Sequence, residues 1–363
     1  MRASATRLPQ QDSGLTLLDL ARLSQSSNHL TSPKGGPRFV LMNRCFVVLS
    51  GLMLLALGAC DDQGKRGAVA SRVLTGSSSL KLPSPERFAE QHPTFDTYWY
   101  QGKAELTRYA LHQARYGDLH DGEAVLVFVT ENFLPKLQVK QEHGESSDAI
   151  SVLKLNAYRR FYTGIYPYTL MTSSFTPTRP PGAETLKVSS TIQEWCGQVY
   201  SQINRRKDGL RALMHSYFQD DADQQMTMPN AILEDGIWAQ IRIDPSRIQQ
   251  GEQEIVPALD YIRLRHKALR AYPATVTQRP NAETDLVDHP LVALEVRYPA
   301  LGRDLIIYYE PDFPHIIQAW EENVGPQRTT AARTHAILDD YWNHNAASDG
   351  EYRDALGLTR ELP

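Results

Sequence analysis

Cysteine is scarce in this chain of 363 residues: Cys45, Cys60 and Cys196 are all there is. The first two fall in an N-terminal signal, so the body keeps one thiol, and cysteine pairing says nothing about compartment. Val199 stands three positions after Cys196, which removes the Cys-x-x-Cys of a thioredoxin-like site. A His-Glu-x-x-His zinc motif is also absent. Basic residues do not cluster: 38 Lys and Arg stand against 42 Asp and Glu. That balance excludes the electrostatic footprint of a nucleic-acid binder. No apolar run reaches the roughly 20 residues that cross a bilayer, and there is no internal repeat. No cofactor or metal site is expected.

What the chain does have is an export signal. From Met42 it reads Met42-Asn43-Arg44, an apolar run over 45–57, then Gly58-Ala59-Cys60 and Asp61-Asp62. A basic start, about a dozen apolar residues and small residues before a cut form a signal peptide. Leu57-Gly58-Ala59-Cys60 has the form of a lipobox. Gly58 and Ala59 let a peptidase reach the backbone, and the Cys60 thiol takes a diacylglycerol. Each buried methylene adds roughly 0.8 kcal/mol, so two or three acyl chains hold where one would not. The expectation is a cell-envelope protein anchored by lipid on Cys60, with Asp61 and Asp62 leaving inner or outer membrane open. Residues 1–41 fit neither signal nor domain and are expected to be a mis-called extension, with Met42 the start. Loss of residues 1–60 removes six basic and two acidic side chains and leaves a net charge of −8.

Residues 60–85 are rich in Gly, Ser and Lys, the composition of a flexible tether. Residues 86–345 are expected to form a single β-rich domain, and 346–363 a C-terminal tail. A helical turn is predicted over 85–91. Strand-like runs follow at 98–113, 123–130, 152–155, 161–175, 185–203, 210–218, 255–264, 291–298, 305–309 and 316–320, with 117–122 a polar turn. Two helices are predicted. One is capped by Asn230 and carries Ile232, Leu233, Ile237, Trp238 and Ile241; the other spans 329–341 with Ala332, Ala336, Ile337 and Tyr341 on one side. The sum is a mostly β fold, a large curved antiparallel sheet or half-barrel with one or two helices. Seventeen tyrosines, against five tryptophans and ten phenylalanines, suit sheets with exposed or rim aromatics.

Several stretches carry a resemblance. They are Tyr98-Trp-Tyr-Gln-Gly-Lys-Ala-Glu105, Gln113-Ala-Arg-Tyr-Gly117, Val129-Thr-Glu-Asn-Phe133, Gln193-Glu-Trp-Cys-Gly197, Tyr261-Ile-Arg-Leu264 and Tyr341-Trp342. Together they resemble an uncharacterised family of bacterial envelope lipoproteins seen chiefly in Bacteroidota, over most of residues 95–345. Some members are labelled septum formation inhibitor. That label implies a nucleotide pyrophosphatase, whose Ser-x-Arg-Arg motif has no match at the head of the mature domain. The strand pattern is also similar to the half-barrels of lipoprotein-sorting and lipid-carrying envelope proteins, a likeness of fold alone.

Each candidate site competes with a plainer reading. Cys196 as a nucleophile would need His215 as base and Asp220 or Asp221 as orienter; the plainer reading is a small buried strand residue beside Trp195. His112, His120 and Asp121 flank a turn and lack metal-ligand spacing. Asp220-Asp221-x-Asp223 lacks the glycine and distal glutamate of a calcium loop and reads as a solvated acidic turn. Tyr98-Trp99-Tyr100, Phe161-Tyr162, Tyr166, Tyr168 and Tyr308-Tyr309 suit a groove for a glycan or lipid tail, or else core packing, which is preferred. The leading expectation is non-catalytic binding of an apolar or amphipathic ligand, or of an envelope partner. The alternatives are a thiol-dependent hydrolase using Cys196 and a structural part of a surface complex.

Overall fold

The computed structural model describes residues 82–180 and 184–358. The signal residues Leu57, Gly58 and Ala59, the lipidation site Cys60 and the tether up to residue 81 lie outside the described residues. The described chain opens with two short helices, α1 (Pro85–Gln91) and α2 (Phe95–Trp99). Ser84 and Thr94 start them by accepting from the backbone N–H three residues on. An antiparallel meander follows: β1 (Ala104–Arg115), β2 (Asp118–Leu134), β4 (Ile150–Thr163), β5 (Tyr166–Pro177), β6 (Lys187–Glu194), β7 (Gly197–Arg206), β8 (Gly209–Ser216) and β9 (Gln224–Met228). The two-residue β3 (Val139–Lys140) pairs on β2 alone. The middle of the chain holds β10 (Ile232–Leu233), α3 (Glu234–Ile243), β11 (Gly251–Val256) and α4 (Leu259–Leu264). A second meander comprises β12 (Tyr272–Thr284), β13 (Val287–Tyr298), β14 (Arg303–Tyr309), β15 (Ile317–Val324) and β16 (Gln327–Asp339), before a last short helix, α5 (Glu351–Ala355).

β16 pairs antiparallel with β1, from Ala104 opposite Asp339 to His112 opposite Thr330, which fuses the two meanders into one 16-stranded sheet. The edges of that sheet are β9 and β10. Only Pro229-Asn230-Ala231 separate them, a link that reaches about 14 Å at most. Laid flat, the edges of such a sheet would stand about 67 Å apart at ~4.8 Å per strand. The sheet is therefore rolled, and one continuous stretch of chain closes its seam. The interior agrees. Arg159 on β4 lies 5.7 Å from the ring of Trp320 on β15, although the two strands are four places apart in the sheet.

A roll of this many strands needs a filler, because wide barrels otherwise enclose a channel. α3 is that filler. It belongs to the one parallel pairing among the described residues, β10 with β11, which requires a crossover, and it packs on β4 and β5. Its Ile237, Trp238 and Ile241 join the main core, where Trp238 meets Trp320 edge-on at 5.2 Å. Gly236 lets the helix come this close: a Cβ there would sit 1.7 Å from the Thr185 hydroxyl. Along β1 the side chains alternate. Glu105, Tyr109 and Leu111 face the filler, while Ala104 and Leu106 join an outer cluster with Ile337, Leu356 of the chain's end, and Leu82.

The mostly β expectation holds, with sixteen strands among the described residues where the sequence suggests about ten. Several elements differ. Tyr98 and Trp99 end a helix started by Thr94 and do not begin a strand. The first hairpin turns on Tyr116-Gly117, both at positive φ, as tight hairpins prefer, so 118–122 is strand. The run 185–203 is split in two at Trp195-Cys196. Asn230 caps nothing; its side chain accepts from Arg205, and the helix begins at Glu234 because Ile232 and Leu233 are taken up by β11. Pro257 ends β11, and 259–264 is helical. The run 329–341 is strand, not helix, as far as Asp339, where β16 ends, and Tyr341 opens a short turn. Its alanines follow from packing: Ala331 lies opposite the bulky Trp320, and pairing on both sides overrides helix preference.

Candidate functional site

The inside of the roll is occupied by side chains, many of them charged. Glu105 receives two bonds from Arg242 of α3, at 2.5 and 2.6 Å, and one from the Tyr98 hydroxyl at 2.5 Å. Arg242 also donates to the carbonyl of Pro314 at 2.8 Å. Burial works against the charge on Arg242, but Glu105 outweighs it and holds the guanidinium pKa above its usual value. Burial, then Glu105, pushes the Tyr98 hydroxyl up. A second knot ties Glu234 of α3 to Arg303 at 2.6 and 2.7 Å and to the Tyr298 hydroxyl at 2.5 Å. Arg303 in turn donates to Glu322 at 2.5 Å.

Next to this knot lies an enclosed cavity lined by Arg159, Ser174, Asp235, Asp260, Trp320 and Glu322, among others. It offers about 20 Å³ to the centre of a water molecule, room for a water and not for a lipid tail or sugar. The Ser174 hydroxyl and the Trp320 indole N–H have no hydrogen-bond partner among the described residues, and a single water in the cavity would supply one. Any larger ligand has to bind elsewhere.

The outer end of the roll offers a surface for that. In a meander, alternate turns share an end, so the β1–β2, β4–β5, β6–β7 and β8–β9 turns lie together. Six large hydrophobic side chains among the described residues are more than 60% exposed: Tyr116, Leu119, Leu137, Ile165, Trp195 and Tyr217. All but Leu137 sit on these four turns or, for Leu119, two residues beyond one. Contacts join the turns into one rim. The Tyr116 and Tyr168 hydroxyls meet at 2.6 Å, Tyr166 stacks on Trp195 at 6.1 Å, and Gly197 is small because Tyr217 packs over it. Phe218 continues the row to His266 beyond α4. Beside Leu119, an open groove of about 480 Å³ runs to Pro326 in the β15–β16 turn. The described chain enters at the opposite end, where the carbonyl of Pro83 accepts from Leu338.

Cys196 lies on this rim and is exposed, which corrects the buried-strand reading. It sits in a two-residue turn, where no layer of the fold covers it. Glu194 accepts from its backbone N–H at 2.6 Å and, through hydrogen bonding and charge, raises the thiol pKa. His215 pairs with Asp223 at 3.4 Å, and no hydrogen bond among the described residues joins it to Cys196. A thiolate nucleophile needs the opposite electrostatics. Iodoacetamide is therefore expected to label Cys196 fully in the folded protein, but slowly at pH 7, and Glu194→Gln should speed the reaction. Alkylation rates against pH, read by mass spectrometry, check this; fast labelling of the unaltered protein at pH 7 would contradict it.

The remaining candidates have structural partners. His112 lies opposite Asp121 and bonds it at 2.8 Å, while His120 lies opposite Gln113, so the two histidines point to different faces. Asp221 is buried and holds His266 at 2.8 Å, which corrects the solvated-turn reading for that residue. Tyr98, Trp99, Phe161, Tyr168 and Tyr309 are core residues, and Tyr308 bonds Glu321. Sequence reading missed one grouping: Asp339, Asp340 and His344 each bring a ligand atom within 4.8 Å of the others. His344 is already bonded to Asp339 and stacked on Tyr352. Placing 329–341 in a helix concealed it.

No family model matches the chain, and no curated protein matches it. Among solved structures the chain is similar to a β-barrel-like protein of domain of unknown function DUF1849 from Brucella abortus. The identity is 10% over 65% of this chain and 98% of that one, with a TM-score of 0.40.

Proposed function

We propose that this is an exported protein of the cell envelope, held by lipid on Cys60, that binds through the aromatic rim of a plugged barrel and performs no catalysis. The observation that carries the binding half is the gathering of exposed aromatic and aliphatic side chains on four turns at one end. Isolated exposed hydrophobics need no explanation, but several sharing one end mark a contact surface. The water-sized cavity speaks against an enclosed lipid, so an apolar or amphipathic partner is met at the rim. The raised thiol pKa and the engaged His215 speak against the hydrolase. No cofactor is needed.

The anchor half rests on the signal around Leu57, Gly58, Ala59 and Cys60. Radiolabelled palmitate fed to the native host is expected to appear in the protein and to vanish in Cys60→Ser, which should also leave the membrane fraction. An unlabelled or cytosolic native protein would end this reading.

A further inference from the structure

We infer that the rim docks on the interfacial layer of a phospholipid bilayer, so that the protein touches its membrane at the end opposite the one where the described chain enters. This rests on the anchored-binder reading and names the partner. Tyr116, Ile165, Trp195 and Tyr217 stand on four separate turns. Tyrosine and tryptophan join an apolar body to a polar edge and are the residues enriched where hydrocarbon meets water. The side chains come from separate turns, so the rim is a row of prongs more than a flat face. A protein partner would need a matching pocket for each prong; a bilayer interface accepts them wherever they fall.

Charge narrows the surface. Around the rim, exposed Asp118, Asp220 and Asp223 are countered by exposed Lys267 and Arg270. Neither sign dominates, which fits a zwitterionic headgroup layer better than a strongly charged partner. Covalent reach permits the geometry. β1 spans about 40 Å at ~3.3 Å per residue, and the 21 residues between Cys60 and Leu82 reach about 75 Å at most. The rim can therefore come round to the bilayer that holds the anchor.

The test uses the full acylated protein in phosphatidylcholine vesicles whose acyl chains carry bromine, a quencher of tryptophan emission. Trp99, Trp238 and Trp320 are buried, and Trp342 is at the far end, so Trp195 reports on the rim. Quenching is expected, with most of it lost in Trp195→Phe and none lost in Trp342→Phe. Ile165→Ser with Tyr217→Ser should weaken it in a protein that keeps Trp195. A photo-crosslinker on Cys196 should yield lipid adducts. Absent quenching, quenching that survives Trp195→Phe, or adducts with protein only would overturn the inference. The two readings fail separately. Palmitate labelling without quenching removes the docked rim and leaves the anchor, and quenching without labelling does the reverse.

Discussion

Replacing Arg242 by methionine is expected to destabilise the fold by about 3–5 kcal/mol, the usual result of stripping one partner from a buried ion pair. Against a typical total of about 5–15 kcal/mol, that is a large share. Arg242 is 1% exposed and Glu105 is fully buried. Without the guanidinium, the Glu105 carboxylate keeps, among the described residues, only the Tyr98 hydroxyl, and the carbonyl of Pro314 loses its donor. Methionine keeps most of the apolar stem and loses the guanidinium, together with its place over the Trp99 and Phe128 rings, so the loss reports on charge more than on volume. The pair also fastens the filler to its container, because Arg242 lies on α3 and Glu105 on β1. Urea denaturation of the wild type, Arg242→Met and the double variant Glu105→Leu with Arg242→Met decides the cause. The double variant removes the orphaned carboxylate and should regain a substantial part of the stability. If it is as unstable as the single variant, lost packing is responsible and the electrostatic account fails.

The strands were legible where hydrophobic period and turn chemistry agree. Residues 291–298 and 305–309 alternate, and Pro299 to Gly302 mark the turn between them; the structure places β13 and β14 there. The buried run Val125 to Val129 likewise became the middle of β2, covered on both faces by separate clusters. β12 was invisible because its face is polar and Pro273 and Pro280 interrupt it; only its neighbours make it a strand. β16 was misread because alanines at positions 331, 332 and 336 imitate a helix; Ala331 makes room for Trp320 across the sheet, while Ala332 lies opposite Ala110 and Ala319, and Ala336 opposite Thr107. Residue-scale information cannot show which strand will lie opposite.

The rim was half legible. Each turn was marked by glycine or by a polar run, and the tyrosine surplus hinted at rim aromatics. That the turns share one end depends on the parity of the meander, and the parity was lost once 185–203 was read as a single strand. Missing the Trp195-Cys196 turn also placed Cys196 in the core. The interior charges were hidden for a different reason. Glu105, Glu234, Arg242 and Arg303 look like surface residues until a helix is threaded inside the sheet, and that threading follows from a closure set by three residues between β9 and β10.

The same buried charge predicts an opposite result at Asp235. This carboxyl lies in the first turn of α3, beside the cavity, and accepts from the backbone N–H of Leu259 at 3.0 Å. Burial and then the nearby charge of Asp260 hold its pKa well above 3.8, and Leu259 and Arg159 only partly offset them. A carboxyl whose pKa rises on folding binds its proton more tightly in the native state. Stability therefore falls as pH climbs from the unfolded value of about 3.9 through the folded one, and the cost is complete above it. Asparagine copies the protonated form and can keep the bond from Leu259 through its carbonyl oxygen. Asp235→Asn is thus expected to be the more stable protein at pH 8, by about 1–3 kcal/mol, what an unsatisfied buried group typically costs. The gap should shrink towards zero as pH drops below 4. Denaturation midpoints of both proteins across pH 4 to 9 measure it. A variant weaker than wild type at pH 8 would mean that the Asp235 carboxylate is usefully paired in the fold, and that burial beside the cavity does not disfavour its charge.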